Sequence, residues 1–246
     1  MEAQLIIAGI LDITSLAEEI DFQKFESLRL IHHYLFNDLY SWAGEFMTVN
    51  IYKNEKVLNG LSVIYTDKDE IEADLESIFR WTNRVEWSYS NSLLVEDFSN
   101  FMTRIWRVHP YREGNKRTVS VFMKLFAESK GLNFNDQLLS VNASYLRNAL
   151  VLAAVEESPE PNYLKKIISD ALYVVPSQNV DLEEEVSSSY QVIGQYDVSE
   201  YEEKPFDIEF NDNKTKSNPP LGLAYYQGWI ILFHKNANAG MTVMRK

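Results

Sequence analysis

Apolar residues at helical spacing run through most of the first 175 residues of this chain, and no other feature limits its fold so strongly. In DFQKFESLRLIHHYLFNDLY, Phe22, Phe25, Leu28, Ile31, Leu35 and Leu39 recur on one helical face. Trp42, Ala43 and Gly44 end that helix, with Gly44 as its left-handed cap. DKDEIEADLESIFRWTNRV reads as a second helix, with acidic residues in its first turn. EDFSNFMTRIWRV puts Phe98, Phe101, Met102 and Ile105 on one face. KRTVSVFMKLFAESKG, closed by Gly131, SYLRNALVLAAVEE and PNYLKKIISDAL complete the set. A chain so patterned is expected to fold as a mainly α domain.

One stretch breaks the pattern. MTVNIYKNEKVLNGLSVIYT is rich in Val, Ile, Thr and Tyr and is interrupted by Asn59-Gly60, the strongest short-range hairpin signal. A β-hairpin is expected at about 47–66. Composition shifts after Pro176: PSQNVDLEEEVSSSYQ is acidic and Ser-rich, a linker or exposed strand region. From Tyr190 the pattern turns towards β, in YQVIGQYDV and again in YYQGWIILFHK. The expected organisation is an N-terminal segment 1–19, a helical domain 20–175, and a linker with a small β extension at 176–246.

The 246 residues are 46% hydrophobic and 13% aromatic, enough for a sizeable core, so Trp81, Trp87 and Trp106 read as packing rather than a ligand cage. A formal charge of -13 argues against a general nucleic-acid or membrane-surface binder. Cysteine is absent, which excludes disulfides and thiolate chemistry. No apolar run reaches the roughly 18 residues of a membrane span. The acidic start of MEAQLIIAGILDITS is unlike a signal peptide, so the expected location is cytoplasmic.

HPYREGNKRT, residues 109–118, joins two amphipathic helices, and its Glu-Gly-Asn-Lys-Arg run has no packing purpose. The backbone N–H groups of Gly114, Asn115 and Lys116 would open the second helix. They lack intrahelical partners there and, with the helix dipole, make an anion site suited to phosphate. Gly114 lets phosphate oxygens approach the backbone, and Asn115 adds an amide donor. Lys116 and Arg117 offset phosphate charge. Glu113 beside a phosphate calls for Mg²⁺ between them, since magnesium takes one or two carboxylates plus phosphates. His109 is placed as a base for an incoming hydroxyl. These parts point to phosphoryl-type transfer.

The same ten residues closely resemble the signature of the Fic/Doc family, His-x-Phe-x-(Asp/Glu)-Gly-Asn-Gly-Arg followed by a second Arg. HHYLFNDLYSWAGEF resembles that family's upstream helix and Trp-Ala-Gly turn, and the hairpin at 47–66 stands where the family has its target-binding flap. The resemblance spans roughly residues 20–170. It implies an all-helical core and, most commonly, transfer of AMP from ATP to a Ser, Thr or Tyr hydroxyl of a target protein. By that resemblance His109 takes the hydroxyl proton and Tyr111 anchors the loop in place of Phe. Glu113 holds Mg²⁺; Gly114, Asn115, Lys116 and Arg117 hold the nucleotide phosphates; and the flap, with Asn59 and Gly60 at its tip, docks the target by strand addition.

Lys116 departs from the usual Gly, Ser120 from the second Arg, and Met47 from an Arg common after the Trp-Ala-Gly turn. The first two departures also occur in the Doc branch, which implies a runner-up: a protein kinase with the nucleotide reversed. Transfer of another nucleotide, from an NTP other than ATP, stands beside it. A module that binds nucleotide or a partner without chemistry is the third reading. The family's inhibitory motif, (Ser/Thr)-x-x-x-Glu-(Gly/Asn), has its spacing at Thr14–Glu18, Ser15–Glu19 and Ser199–Glu203, but the next residue fails each time. Restraint is therefore expected from an antitoxin-like protein, if at all; a homo-oligomer through the apolar tail strand is a further expectation. Of His32 and His33, one is expected to be structural.

Overall fold

The computed structural model describes residues 13, 17–173, 190–194, 204–206, 222–226, 229–233 and 242–245. The linker expected at 176–189, the motif spacings at Thr14, Ser15 and Ser199–Glu203, and His234 lie outside them. The chain divides into two compact units, Met1–Pro205 and Phe206–Lys246.

The larger unit is helical. Its main elements are α1 (Glu26–Phe36), α2 (Ile71–Thr82), α3 (Leu94–Val108), α4 (Asn115–Ser129), α5 (Asp136–Val141), α6 (Ala143–Ala154) and α7 (Asn162–Tyr173). A helical turn, α8 (Gln191–Gly194), follows; the three-residue strand β1 (Asn50–Tyr52) falls between α1 and α2, and β2 (Lys204–Phe206) comes after the last helix. Helix α3 is central and packs against α2, α4, α6 and α7. The periodicity explains why: Phe98, Phe101, Met102 and Ile105 are all completely buried. Around them Phe79, Phe122, Phe126 and Trp87 meet largely edge to face, with centroids 5.0–5.8 Å apart in the closest pairs. Helix α1 lies on α4, which brings the upstream helix against the loop 109–118.

Three expectations are corrected. Helix α1 ends at Phe36 rather than at Gly44, and stacked Phe36, Tyr40 and Trp42 rings carry the chain around a turn. Gly44, at φ +84°, folds back on the helix and donates its N–H to Nδ1 of His32 at 2.8 Å. Residues 47–66 do not form a regular hairpin. A 3₁₀ turn, Lys56–Leu58, sits inside the flap, which closes through an isolated bridge between Glu55 and Leu61. Asn59 and Gly60 do take positive φ, 55° and 92°, within a turn closed by Leu61 N–H on the Leu58 carbonyl. Third, 191–194 is helical rather than β, and it packs on α6 with Ile193 buried. The helical unit therefore continues past residue 175.

The smaller unit holds three antiparallel strands, β3 (Gly222–Tyr226), β4 (Trp229–Phe233) and β5 (Thr242–Arg245). Tyr226 pairs with Trp229, and Trp229 with Arg245.

Candidate active site

Two chain reversals build the loop. At the end of α3, His109 adopts a left-handed conformation, φ 51°, ψ 54°, the position that usually falls to Gly. Among the described residues it and Asn59 alone have positive φ without being Gly. Such strain persists where the surroundings enforce it, and functional sites are where it concentrates. At the start of α4, Gly114 takes φ +81°, and a Cβ there would stand 2.5 Å from the Phe36 ring. Gly is thus required twice over, by backbone conformation and by contact with α1.

Between these points the loop is pinned from inside. Asn115 is 2% exposed, and its side chain bridges the loop: Oδ1 accepts from Tyr111 N–H at 2.9 Å, and Nδ2 donates to the Tyr111 carbonyl at 2.6 Å. The amide expected to reach a phosphate is spent on the loop's own backbone. Tyr111 is buried, its ring stacked 3.8 Å from His32. His32 accepts from Gly44 at Nδ1, so Nε2 carries the proton and donates to the Glu113 carbonyl at 3.1 Å. Burial pushes its pKa down to about 4, which keeps that assignment at neutral pH. His33 lies at the surface side of the same helix, its Nδ1 3.2 Å from the Ala43 carbonyl.

His109 is 1% exposed. Its Nδ1 lies 3.3 Å from the Trp106 carbonyl, which can only accept, so Nδ1 carries the proton and Nε2 is the basic nitrogen. The flap brackets it on both sides: Met47 N–H donates to the Pro110 carbonyl at 2.8 Å, and Arg107 Nε donates to the Ile64 carbonyl at 3.2 Å. Met47, standing where an Arg was noted as common, is buried there.

Glu113 sits at the mouth of α4. Its Oε1 accepts from Gly114 N–H at 2.9 Å and from Arg117 at 3.3 Å. The carboxylate therefore takes the Gly114 N–H, one of the donors expected for phosphate. Arg117 also lies over the Phe36 ring, 4.9 Å from its centroid. Lys116 is largely buried, and burial, then Arg147 and Arg117, lower its pKa. Among the described residues no three His, Asp or Glu side chains gather as a metal site. The chain offers one hard-oxygen ligand, which suits Mg²⁺ only as it binds with phosphate oxygens and water. Ser120 stands one turn on, partly exposed. Glu18 and Glu19 are exposed, and no helix among the described residues is long and apolar enough to cross a membrane.

Of the pair His32 and His33, His32 is the structural one; Tyr65, Glu55 and Arg147 have no role that the sequence pointed to. Glu55 and Arg147 are 92 positions apart, yet both guanidinium ends of Arg147 donate to the Glu55 carboxylate. An Arg within the apolar run of α6 was the only signal.

Residues 22–127 match the model of the Fic/DOC family. The chain is 29% identical over 126 residues to protein adenylyltransferase VbhT of Bartonella schoenbuchensis, covering 50% of this chain and 24% of that protein. It is 26% identical over 121 residues to "Probable protein adenylyltransferase y4lH" of Sinorhizobium fredii, covering 49% of this chain and 59% of that protein. The matches thus span between a quarter and three fifths of those relatives. Two solved structures share the fold. BepC of Bartonella tribocorum, with bound AMPPNP, has a TM-score of 0.54 at 16% identity, over 69% of this chain and 83% of that one. The type IV secretion system effector BepA has 0.53 at 17%, over 98% and 79%. Residues 22–127, which hold the flap and the loop of residues 109–118, are therefore the part of the chain that matches the Fic/DOC family.

Proposed function

We propose that this chain is a protein adenylyltransferase that moves AMP from ATP to a Ser, Thr or Tyr hydroxyl of a target protein. The observation that carries the reading is the loop itself. It holds a buried histidine with its basic Nε2 at one end and the N-terminus of a 15-residue helix at the other, and Asn115 pins the backbone between them. Relatives named protein adenylyltransferases and a fold neighbour with bound AMPPNP support it.

In this reading phosphates take the N–H groups of Gly114, Asn115 and Lys116, and the Glu113 carboxylate turns away from them. Lys116 and Arg117 add charge. Glu113 would hold Mg²⁺ together with phosphate oxygens; the ion would neutralise charge that develops on the leaving group. His109 Nε2 takes the target's hydroxyl proton as the oxygen attacks the α-phosphorus. The α–β phosphoanhydride bond breaks, and pyrophosphate leaves. Asn115 works through its backbone N–H and its grip on Tyr111, not through a side-chain contact to phosphate. The flap turn at Asn59 and Gly60 aligns an extended target segment.

A second reading, γ-phosphate transfer, is favoured by one feature. Ser120 leaves no cation on the second turn of α4, while Lys116, Arg117 and Arg147 gather around its first turn. Peptide mass spectrometry after incubation with ATP, Mg²⁺ and a cell lysate separates the two. A gain of one AMP, about 329 Da from its formula, supports adenylylation, and about 80 Da supports phosphorylation. His109→Ala is expected to lower transfer at least about 100-fold while ATP binding persists. Undiminished transfer in that variant overturns both.

A further inference from the structure

Tyr65 lies on the return limb of the flap, with its ring 4.4 Å from the His109 imidazole and 5.8 Å from the Trp106 indole. Its hydroxyl donates to Oε1 of Glu55 at 3.3 Å. Glu55 is completely buried, and the carboxylate also receives Nη2 of Arg147 at 3.1 Å and the neighbouring Nη1. Arg147 is itself 8% exposed, on α6. The Lys53 ammonium lies 5.9 Å from the Tyr65 ring centroid. Side chains thus run without a gap from α6, through the flap, to the histidine.

A buried ion pair is a poor way to stabilise a fold, because apolar residues of similar volume do as well or better. What a carboxylate supplies here, and an apolar side chain cannot, is a fixed acceptor for the Tyr65 hydroxyl. The His109 ring is enclosed, with Nδ1 3.3 Å from the Trp106 carbonyl and the Tyr65 ring against it. A shift of Tyr65 therefore changes the surface that sets the imidazole's orientation.

We propose that Tyr65 is a positioning residue for His109, held in place by Glu55 and Arg147, so that flap geometry and the orientation of the base are one structure. This rests on His109 acting as the base. A target segment that seats on the flap then meets an imidazole already aimed, and a displaced flap releases it.

The chain has four histidines, so ¹⁵N-imidazole NMR can follow His109, assigned by its loss in His109→Gln. Wild type should show a single Nδ1–H tautomer. Tyr65→Phe keeps the ring and removes the hydroxyl. It should lower kcat for transfer about tenfold, leave KM for ATP nearly unchanged, and broaden or shift the His109 signals. Glu55→Leu with Arg147→Met replaces the ion pair by apolar side chains, so the fold should survive, as a thermal melt would show. The same loss of kcat is expected there, and adding Tyr65→Phe should cost nothing further, because all three act as one unit. Wild-type kcat and an unchanged His109 spectrum in Tyr65→Phe overturn the proposal, as do fully additive losses in the triple variant. If the wild-type protein shows no His109-dependent transfer, the assigned function fails, while the NMR comparison still decides whether Tyr65 positions the ring.

Discussion

Tyr111 and His32 show how single side chains set this loop. The Tyr111 hydroxyl is buried with no hydrogen-bond partner, and burial raises its pKa far above the ordinary value. Such an orphan costs about 1–3 kcal/mol. Tyr111→Phe is therefore expected to raise stability by about 1 kcal/mol in urea denaturation, with transfer activity unchanged. His32 gives a pH dependence. Its folded pKa near 4 lies below the ordinary imidazole value of about 6.5, so the unfolded chain takes the proton first. The stability due to the neutral ring is complete above pH 6.5 and is lost as pH falls towards 4, by roughly 3 kcal/mol at most. Urea melts between pH 7.5 and 4.5 should show that decline, and His32→Gln, which takes no proton, should flatten it. The sequence supplied the identity of these residues and their order. It did not supply the contact between His32 and Glu113, 81 positions apart, because such a bond exists only once α1 lies on α4.

At the scale of elements, long amphipathic segments were legible. α3 and α4 fall where their apolar periodicity puts them, since a 3.6-residue period is a local property of the chain. The flap was legible only in its turn. Asn59-Gly60 takes the positive φ that such pairs favour, but its flanks close as a 3₁₀ turn and one bridge instead of two strands. Glu55 explains the difference, since its pairing with Arg147 draws that limb of the flap onto α6. Gly60→Ala tests the turn. Its φ is +92°, and a Cβ would meet Asn54 Oδ1 at 2.9 Å. A loss of about 1–2 kcal/mol is expected in thermal melts, together with weaker use of the target protein and undiminished ATP binding by titration.

For the whole molecule, the extent of the helical unit is the main correction. Tyr190 and Ile193 are 2% and 5% exposed, Tyr190 donates its hydroxyl to Asp170, and the Ile193 carbonyl accepts from Asn148 at 2.7 Å. A chain ending at residue 175 loses that cover, and burial of two such side chains is worth about 1.5–3 kcal/mol each. It should melt several degrees below a chain ending at 205, as calorimetry would show. Sequence alone determined the helical class, the loop with its histidine, acid, Gly and cations, and the family resemblance. These depend on residue type and short spacing, which the chain carries without folding. Tertiary structure decided that Asn115 pins the loop, that Glu113 meets the Gly114 N–H and Arg117, that Tyr65 lies on His109, and that 190–194 returns to the core. Each of those joins groups whose meeting depends on how helices pack, and packing is a property of the folded whole.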